Sequence, residues 1–473
     1  MKIVFVNRFF YPDQSATSQI LTDLAFHLAK TGVSVHVVTS RQVHDDPDST
    51  LASDDFIQGV RVIRVWTTGF GRQNLPGRML DYLTFYLSAA WSLFSLVKLG
   101  DLVVAKTDPP LISVVAAMVV KSRGAKLINW IQDLFPEVAG VLGIGGIKGL
   151  EGLLRSMRNW SLRTASKNVV IGDGMAKKLA EEGIKPEAIQ VIHNWADGYA
   201  IQPVDREKND LRREWNLQDA FVVGYSGNIG RAHEFDTILD AAVKLNSAAN
   251  IVFLFIGGGA QRDRIEEETR RRGLENIMFK PYQPRERLAF SLTVPDVHLI
   301  SLQPSLEGLI VPSKFYGIAA AGRPTIFIGS KNGEIPCILR EAQCGFSIEK
   351  GQAEEASRVI RELADDKETC LRLGRNARVL FDQRFNTRHA MQVWETVIVA
   401  TEEQIIPVLK DAQAGVSVQD LCRKHGISDA TFSQWRTTYA GLEVSDVKKL
   451  CQLEEENRRL KQMVAEQALD IRR

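Results

Sequence analysis

The stretch SLEGLIVPSKFYGIAAAGRP, Ser305–Pro324, decides how the rest of the chain is read. It follows VHLISL, a short apolar run of strand type. Glu307 stands just beyond that run and Gly308 follows it. Apolar residues then lead to Pro312-Ser313-Lys314, which opens a helical pattern. The sequence therefore reads strand, loop, helix, with a carboxylate and an ammonium at the carboxyl end of a strand. A carboxylate there can grip sugar hydroxyls. The N–H groups from Gly308 and Leu309 onward, with Lys314, can hold a diphosphate. The competing reading is a surface Glu and a Lys that merely starts a helix.

Working outward, the same alternation recurs on both sides. Upstream are FVVGYSGNIG, NIVFLFIGGG and NIMFKPY, and downstream PTIFIG and GFSIE. Short apolar runs separated by helical stretches are the mark of parallel strands buried on both faces. A second series occupies the first half of the chain: KIVFV, VSVHVVTS, DLVVAK, KLINWIQD, NVVIG and IQVIHN. After KIVFV, the helical stretch ATSQILTDLAFHLAKTG carries Ile20, Leu21, Leu24 and Leu28 on one face and stops at Gly32. Between the two series, 197–218 is polar and contains proline, as a linker would be. The expectation is two Rossmann-like domains, 1–196 and 219–375, with a site at the carboxyl ends of their strands, in the cleft between them.

The segment GYSGNIGRAHEF, Gly224–Phe235, ends a strand and leads to a helix. Gly227 and Gly230 clear space for a ligand against the backbone, Arg231 adds charge, and the N–H groups of the helix start attract phosphate. A plain turn is the alternative. The donor-side set expected from these loops is Gly227, Asn228, Arg231, Tyr282, Gly308, Leu309 and Lys314.

Composition narrows the classes. At 473 residues the chain exceeds one core, and a formal net charge of +2 gives no strong electrostatic case for nucleic acid. Five cysteines, odd in number and without close pairs, argue against a disulfide framework and a zinc site and point to a reducing compartment. MKIVFVNRFF is too short an apolar run for a signal peptide, so the expected location is the cytoplasm.

With these residues in view, Met1–Val399 resembles the retaining GT-B glycosyltransferases of the large family-4 group. It is most similar to the branch that adds sugars, often N-acetylated or deoxy amino sugars, during bacterial capsule, O-antigen and colanic acid synthesis. NWIQDLFPE resembles that branch's Gln-Asp-Leu-Trp-Pro-Glu signature, with Phe135 in place of Trp. FYPDQSATSQI resembles the first donor-side loop, in which Ser15, Ala16 and Thr17 stand where the family has glycines. VIHNWAD resembles the strand end before the interdomain linker. FNTRHAMQVWETVI resembles the last helix, 376–399, which in that fold crosses back onto the first domain. The paired-Glu motif keeps only Glu307; its second position falls on Gly317. The usual Arg and Lys of the phosphate loop fall on Asn228 and His233, so Arg231 and Lys314 are expected to carry that role.

The resemblance implies transfer, with retention, from a nucleoside diphosphate sugar, most simply a UDP-sugar, to a lipid-linked or oligosaccharide acceptor. The nucleotide-sugar is substrate rather than cofactor, and no metal is expected. Asp133 and Glu307 are the expected catalytic pair. Asp133 would position the acceptor hydroxyl or stabilise developing charge, a role Glu137 could share; a helix-capping Asp is the plain alternative. His193 is read as structural. MLDYLTFYLSAAWSLFSLVKLG, Met79–Gly100, has only Asp81 and Lys98 as charges. Inside an α/β domain it fits a helix lying on a membrane surface, with Tyr82, Tyr86 and Trp91 near the headgroups, on the inner face of the plasma membrane; a buried core helix is the alternative.

Beyond Thr401 the character changes. TEEQIIPVLKDAQAGVSVQDLCRKHGISDATFSQWRTTY reads as a helix-turn-helix within 400–442. Leu450, Leu453, Asn457, Leu460, Val464, Gln467 and Ile471 form a heptad seam within 443–473, implying a weak parallel dimer. This tail resembles the small first-frame protein of IS3-type insertion sequences, whose module binds transposon ends. Here Glu402, Glu403, Asp411, Asp420 and Asp429 offset Arg423, Lys424 and Arg436, which weakens a DNA role. The expected origin is an insertion element read through from the transferase gene. The alternative is a DNA-binding, dimerising fusion whose transferase domains are inactive.

Overall fold

A computed structural model describes residues 2–43, 50–70, 75–144, 149–248, 250–403, 417, 418, 420 and 421. The helix-turn-helix reading lies almost wholly outside them, and the zipper lies wholly outside.

The first domain begins with β1 (Lys2–Val6), α1 (Ala16–Lys30) and β2 (Ser34–Ser40). It continues through β3 (Asp54–Ile57), β4 (Val60–Val65), α2 (Leu75–Leu96), β5 (Leu102–Lys106), α3 (Ile112–Arg123) and β6 (Lys126–Ile131). α4 (Glu137–Val141), α5 (Glu151–Thr164), β7 (Lys167–Val170), α6 (Asp173–Glu181) and β8 (Ile189–Val191) complete it. The sheet order is β3-β4-β2-β1-β5-β6-β7-β8, parallel except for β3. The sequence reading passes over the β3–β4 hairpin. Its turn, Gln58 and Gly59, has φ of 48 and 83, and the outer strand is exposed at Asp54, Asp55 and Phe56, so no buried run betrays it.

The second domain contains α7 (Asp210–Glu214), β9 (Phe221–Ser226), α8 (Asp236–Lys244), β10 (Ile251–Ile256), α9 (Arg262–Arg271) and β11 (Ile277–Lys280). Then come α10 (Leu288–Thr293), β12 (Val297–Ser301), α11 (Lys314–Ala320), β13 (Thr325–Gly329), α12 (Glu334–Ala342) and β14 (Gly345–Glu349). Its six strands are all parallel, in the order β11-β10-β9-β12-β13-β14. Strand order reverses beside β1 and β5 in one sheet, and beside β9 and β12 in the other. Crevices open at such switch points; the loops with Ser15, Gly227 and Glu307 leave β1, β9 and β12, while Asp133 follows the neighbouring β6 and Tyr282 follows β11.

The expected linker is only partly a linker. Arg212 of α7 is buried, pairs with Asp296 at 3.0 Å and donates to the carbonyls of Leu217, Ala220 and Val294. Its segment therefore belongs to the body of the second domain.

After α13 (Ala353–Asp365) and α14 (Lys367–Leu380) the chain crosses back, and α15 (Thr387–Glu403) packs on the first domain. Ala390, Met391, Trp394, Val397 and Ile398 join the core beneath α1, with Trp394 edge-on to Trp130 at 4.7 Å. The change of character at Thr401 does not end the helix. Thr401 is buried within α15, its hydroxyl donates to the Val397 carbonyl, and its own carbonyl receives the Lys126 ammonium.

Helix α2 serves two surroundings. Asp81, Phe85, Ala89 and Leu93 are buried against the sheet, while Met79, Leu80, Leu83, Leu87, Trp91 and Phe94 are exposed. No helix among the described residues is long and apolar enough to cross a membrane. Of the three aromatic residues expected at headgroup level only Trp91 faces outward. The Tyr86 hydroxyl turns in to the Pro110 carbonyl, and Tyr82 is half-buried beneath Arg8.

Candidate active site

The donor half is built from loops of the second domain. Gly227, with φ of 113, follows β9, and a side chain there would strike Lys314, whose Cε would lie 2.9 Å from the added carbon. Glycine thus admits Lys314 across the strand end. The Lys314 Nζ sits 3.0 Å from His233 Nε2 and 5.0 Å from the Tyr225 ring centroid. His233 Nδ1 faces the Ser301 carbonyl. The consistent tautomer donates from Nδ1 to Ser301 and accepts from Lys314 at Nε2. Burial first, and the Lys314 charge second, hold the imidazole down at about 3, so it stays neutral. Burial brings the Lys314 ammonium down to about 8. His233 escaped the sequence reading as a site residue, because its role depends on a partner 81 residues away.

Two expectations for this half are corrected. The Thr237 N–H at the start of α8 is not free for phosphate, because the buried Glu234 carboxylate accepts it at 3.1 Å. Nor do the N–H groups after Gly308 point into the site. Leu309 N and Ile310 N both donate to the Leu306 carbonyl, at 3.0 and 3.3 Å. The Leu309 side chain lies in the core between the domains, so it lines no ligand surface. Asn228, Arg231 and Tyr282 are exposed at the same edge. The Tyr282 hydroxyl donates to the Gly258 carbonyl at 3.3 Å, and Arg231 makes no ion pair among the described residues.

Glu307 lies between the domains. Gly308, with φ of 72, turns the chain so closely to α6 that an added side chain would meet Lys178 and the Gly174 carbonyl. The Glu307 carboxyl lies against Gly333 at the start of α12, and its Oε1 has no hydrogen-bond partner among the described residues. Burial, aided by neighbouring Glu334, pushes it up to about 7. Glu334 itself reaches the other domain and accepts from Gly174 N at 3.1 Å.

From the first domain, Ser15 caps α1; its N–H and hydroxyl both turn to Asp13, leaving Ala16 and Thr17 at the open helix start. Asp133 follows β6, and the next residue, Leu134, donates its N–H to the Leu309 carbonyl at 2.9 Å. Asp133 and the Glu307 loop are therefore held in neighbouring positions. Solvent reaches Asp133, but protein surrounds it; that crowding and the nearby Asp108 push its carboxyl up to about 6, against the pull of Lys106. Glu137 is excluded from a shared role, because Arg158 holds it at 2.7 Å and Arg155 at 3.2 Å. His193 rests on the Ile171 carbonyl at 3.1 Å and edge-on to Phe385, a structural setting. Among the described residues no cluster of three or more metal-ligating side chains occurs.

Comparison with known proteins matches this division. Residues 16–195 match the glycosyl transferase 4-like domain, 207–380 the glycosyl transferases group 1 family, and 401–465 a transposase family. WbjE of Pseudomonas aeruginosa, described as a probable glycosyltransferase, is 30% identical over 278 residues, spanning 58% of this chain and 68% of that protein. A 10.0 kDa protein of insertion element IS407 from Burkholderia multivorans is 55% identical over 71 residues, 15% of this chain and 82% of its own. The fold is shared with Anabaena HepE, crystallised with UDP, at a TM-score of 0.63 and 16% identity, over 85% of this chain and all of that one. Two parallel α/β domains meeting over the Asp133 and Glu307 loops, together with these matches, make the chain a member of the group 1 glycosyltransferases of GT-B fold, extended from Thr401 by a transposase-type segment.

Proposed function

We propose that the chain transfers a sugar, with retention of configuration, from a UDP-sugar to a saccharide or lipid-linked acceptor in bacterial surface polysaccharide synthesis. The sugar is most consistent with an N-acetylated or deoxy amino sugar, on the resemblance of NWIQDLFPE to that branch. The observation that carries the reading is the Leu134–Leu309 contact, which sets an ionisable Asp133 beside the Glu307 loop while Lys314 waits behind it on His233. The sugar–phosphate bond breaks through an oxocarbenium-like state, and the charge that grows is on the diphosphate. Lys314, steered by His233 and joined by Arg231, meets that charge, so the barrier falls chiefly by electrostatic stabilisation. The acceptor oxygen bonds to the anomeric carbon on the face being vacated. Its proton passes to the departing phosphate oxygen. Glu307 grips the sugar, and ionised Asp133 orients the acceptor hydroxyl.

With that charge supplied by side chains, transfer is expected to proceed without a divalent ion. The exposed side of α2 is the face we assign to the membrane surface. Within α2 and α3 the only acid is the buried Asp81, while Arg78, Lys121 and Arg123 supply positive charge. The test is to incubate the purified chain with a panel of UDP-sugars and membrane lipid extract, with and without EDTA, and to read the anomeric configuration of the product by NMR. Release of sugar from no donor, with UDP bound, would sink the reading; loss of activity in EDTA would remove metal independence alone.

A further inference from the structure

Several buried side chains at the carboxyl edge of the first sheet keep hydrogen-bonding atoms without partners among the described residues, and three of them lie at or just past the ends of β5, β6 and β8. Lys106, 1% exposed, ends β5; Gln132, 7% exposed, follows β6; Asn194, 3% exposed, follows β8. The open atoms are Lys106 Nζ, Gln132 Nε2 and Asn194 Oδ1. Chain geometry brings them together. Lys106 pairs in register with Trp130, and its Nζ lies 3.5 Å from the centre of that ring. Strand alternation puts Gln132 on the same face as Trp130, which packs toward α1 and α15. Asn194 Nδ2 donates to Gln132 Oε1 at 2.9 Å, tying the second and third members.

Buried polar groups are normally paired, and each open one costs about 1–3 kcal/mol, so three in one patch at a switch-point crevice need a reason. The patch adjoins the reacting loops, since Gln132 precedes Asp133 and the Leu134–Leu309 contact. It offers two donors and one acceptor. Its rim is acidic: burial holds the Lys106 amine well below the usual lysine range, and Asp23, Asp108 and Asp133 pull against it. A phosphate would meet those three carboxylates, whereas an uncharged hydroxyl can accept from Lys106 or Gln132 and donate to Asn194.

We infer that Lys106, Gln132 and Asn194 form the recognition site for the hydroxyls of an uncharged saccharide unit, the acceptor end on which the enzyme builds. The inference rests on the transferase reading above and adds to it which residues choose the acceptor.

The test uses the full chain saturated with UDP and, as probes, the methyl glycosides of glucose, N-acetylglucosamine and fucose. Saturation-transfer NMR reads glycoside binding and calorimetry reads UDP binding. At least one glycoside should bind the wild type. Lys106→Met should weaken it about tenfold, the cost of leaving one buried hydroxyl of the ligand without its donor, with UDP affinity unchanged within about twofold. Gln132→Glu keeps the oxygen that Asn194 grips and removes the open N–H pair. It should weaken binding in the same direction, and it serves if Lys106→Met does not fold. Glycoside binding at wild-type affinity in the folded variants overturns the inference, as does a wild type that binds UDP and none of the glycosides. A chain that binds glycosides through these residues but transfers from no UDP-sugar would instead overturn the transferase reading and leave this site standing.

Discussion

The two halves of the cleft are finished differently. On the second domain the groups behind the phosphate loop already have partners: Lys314 rests on His233, His233 on Ser301, and Thr237 N of α8 on Glu234, while, among the described residues, Glu307 Oε1 and Arg231 stay open at the edge of the cleft. On the first domain Lys106, Gln132 and Asn194 are equally buried but keep open positions. A half that binds a constant nucleotide diphosphate gains from being preorganised. A half that must recognise a particular saccharide can leave part of its hydrogen bonding for the ligand to complete. The contrast can be broken or sharpened by substitution on each side.

The largest effect should come from Glu307→Gln. Turnover should fall about 100-fold or more, while UDP affinity changes little, because the contact is to the sugar and strengthens in the transition state. Glu307 titrates at about 7 in the fold against 4.5 for its ordinary value. A carboxyl with a raised folded pKa contributes stability below its unfolded value and loses it as pH rises through 7. The Gln variant should therefore be more stable than wild type at pH 8, by about 1–2 kcal/mol, and lose that advantage near pH 4. Equal activity in the two proteins would remove Glu307 from the site.

Lys314→Ala should act on binding and rate together. Losing a charge-assisted hydrogen bond worth about 1.5–3 kcal/mol predicts UDP binding weaker by about tenfold or more, with a larger loss in kcat/KM. Unchanged UDP affinity would place Lys314 outside the donor site.

The pH profile follows from the same groups. Asp133 at about 6 and Glu307 at about 7 must ionise, and Lys314 at about 8 must keep its proton. Activity should therefore rise through pH 6–7 and fall above pH 8. Lys314→Arg should carry the alkaline limb upward, since arginine holds its proton throughout. An alkaline limb that stays in place in that variant would assign it to another group.

On the outer side of the first domain, Trp91→Glu or Phe94→Glu should release the protein from anionic liposomes without unfolding it, because both residues are exposed. Wild-type protein that fails to sediment with such liposomes at low salt would leave α2 as core packing only. The smallest effect is expected at the tail. A stop after Glu403 should leave transfer activity and melting temperature as they are. A stop after Val399 removes Thr401 and its contacts with Val397 and Lys126, and should cost about 1 kcal/mol. Loss of activity on cutting after Glu403 would mean that the transposase-type segment supports the enzyme.

Much of this molecule is legible before folding. A strand buried on both faces must be apolar throughout, so FVVGYS, IVFLFI and VHLIS announce themselves as strands, and the glycine and charge beyond them mark where a ligand can approach. The β3–β4 hairpin was less legible, since half of it faces water. So was the junction at Thr401, where composition changes but helix α15 continues, because a helix follows its packing rather than the origin of its sequence.

Sequence by itself determined that two parallel α/β domains meet at strand ends carrying Asp133, Glu307, Gly227 and Lys314, since apolar periodicity and loop chemistry are local properties. Only the tertiary structure decided which polar groups remain available. Leu309 and Ile310 spend their N–H groups on Leu306, Glu137 is taken by Arg158, His233 steers Lys314, and Lys106 remains open over Trp130. Whether a buried donor is free depends on partners far along the chain, and on the low dielectric that makes each pairing matter.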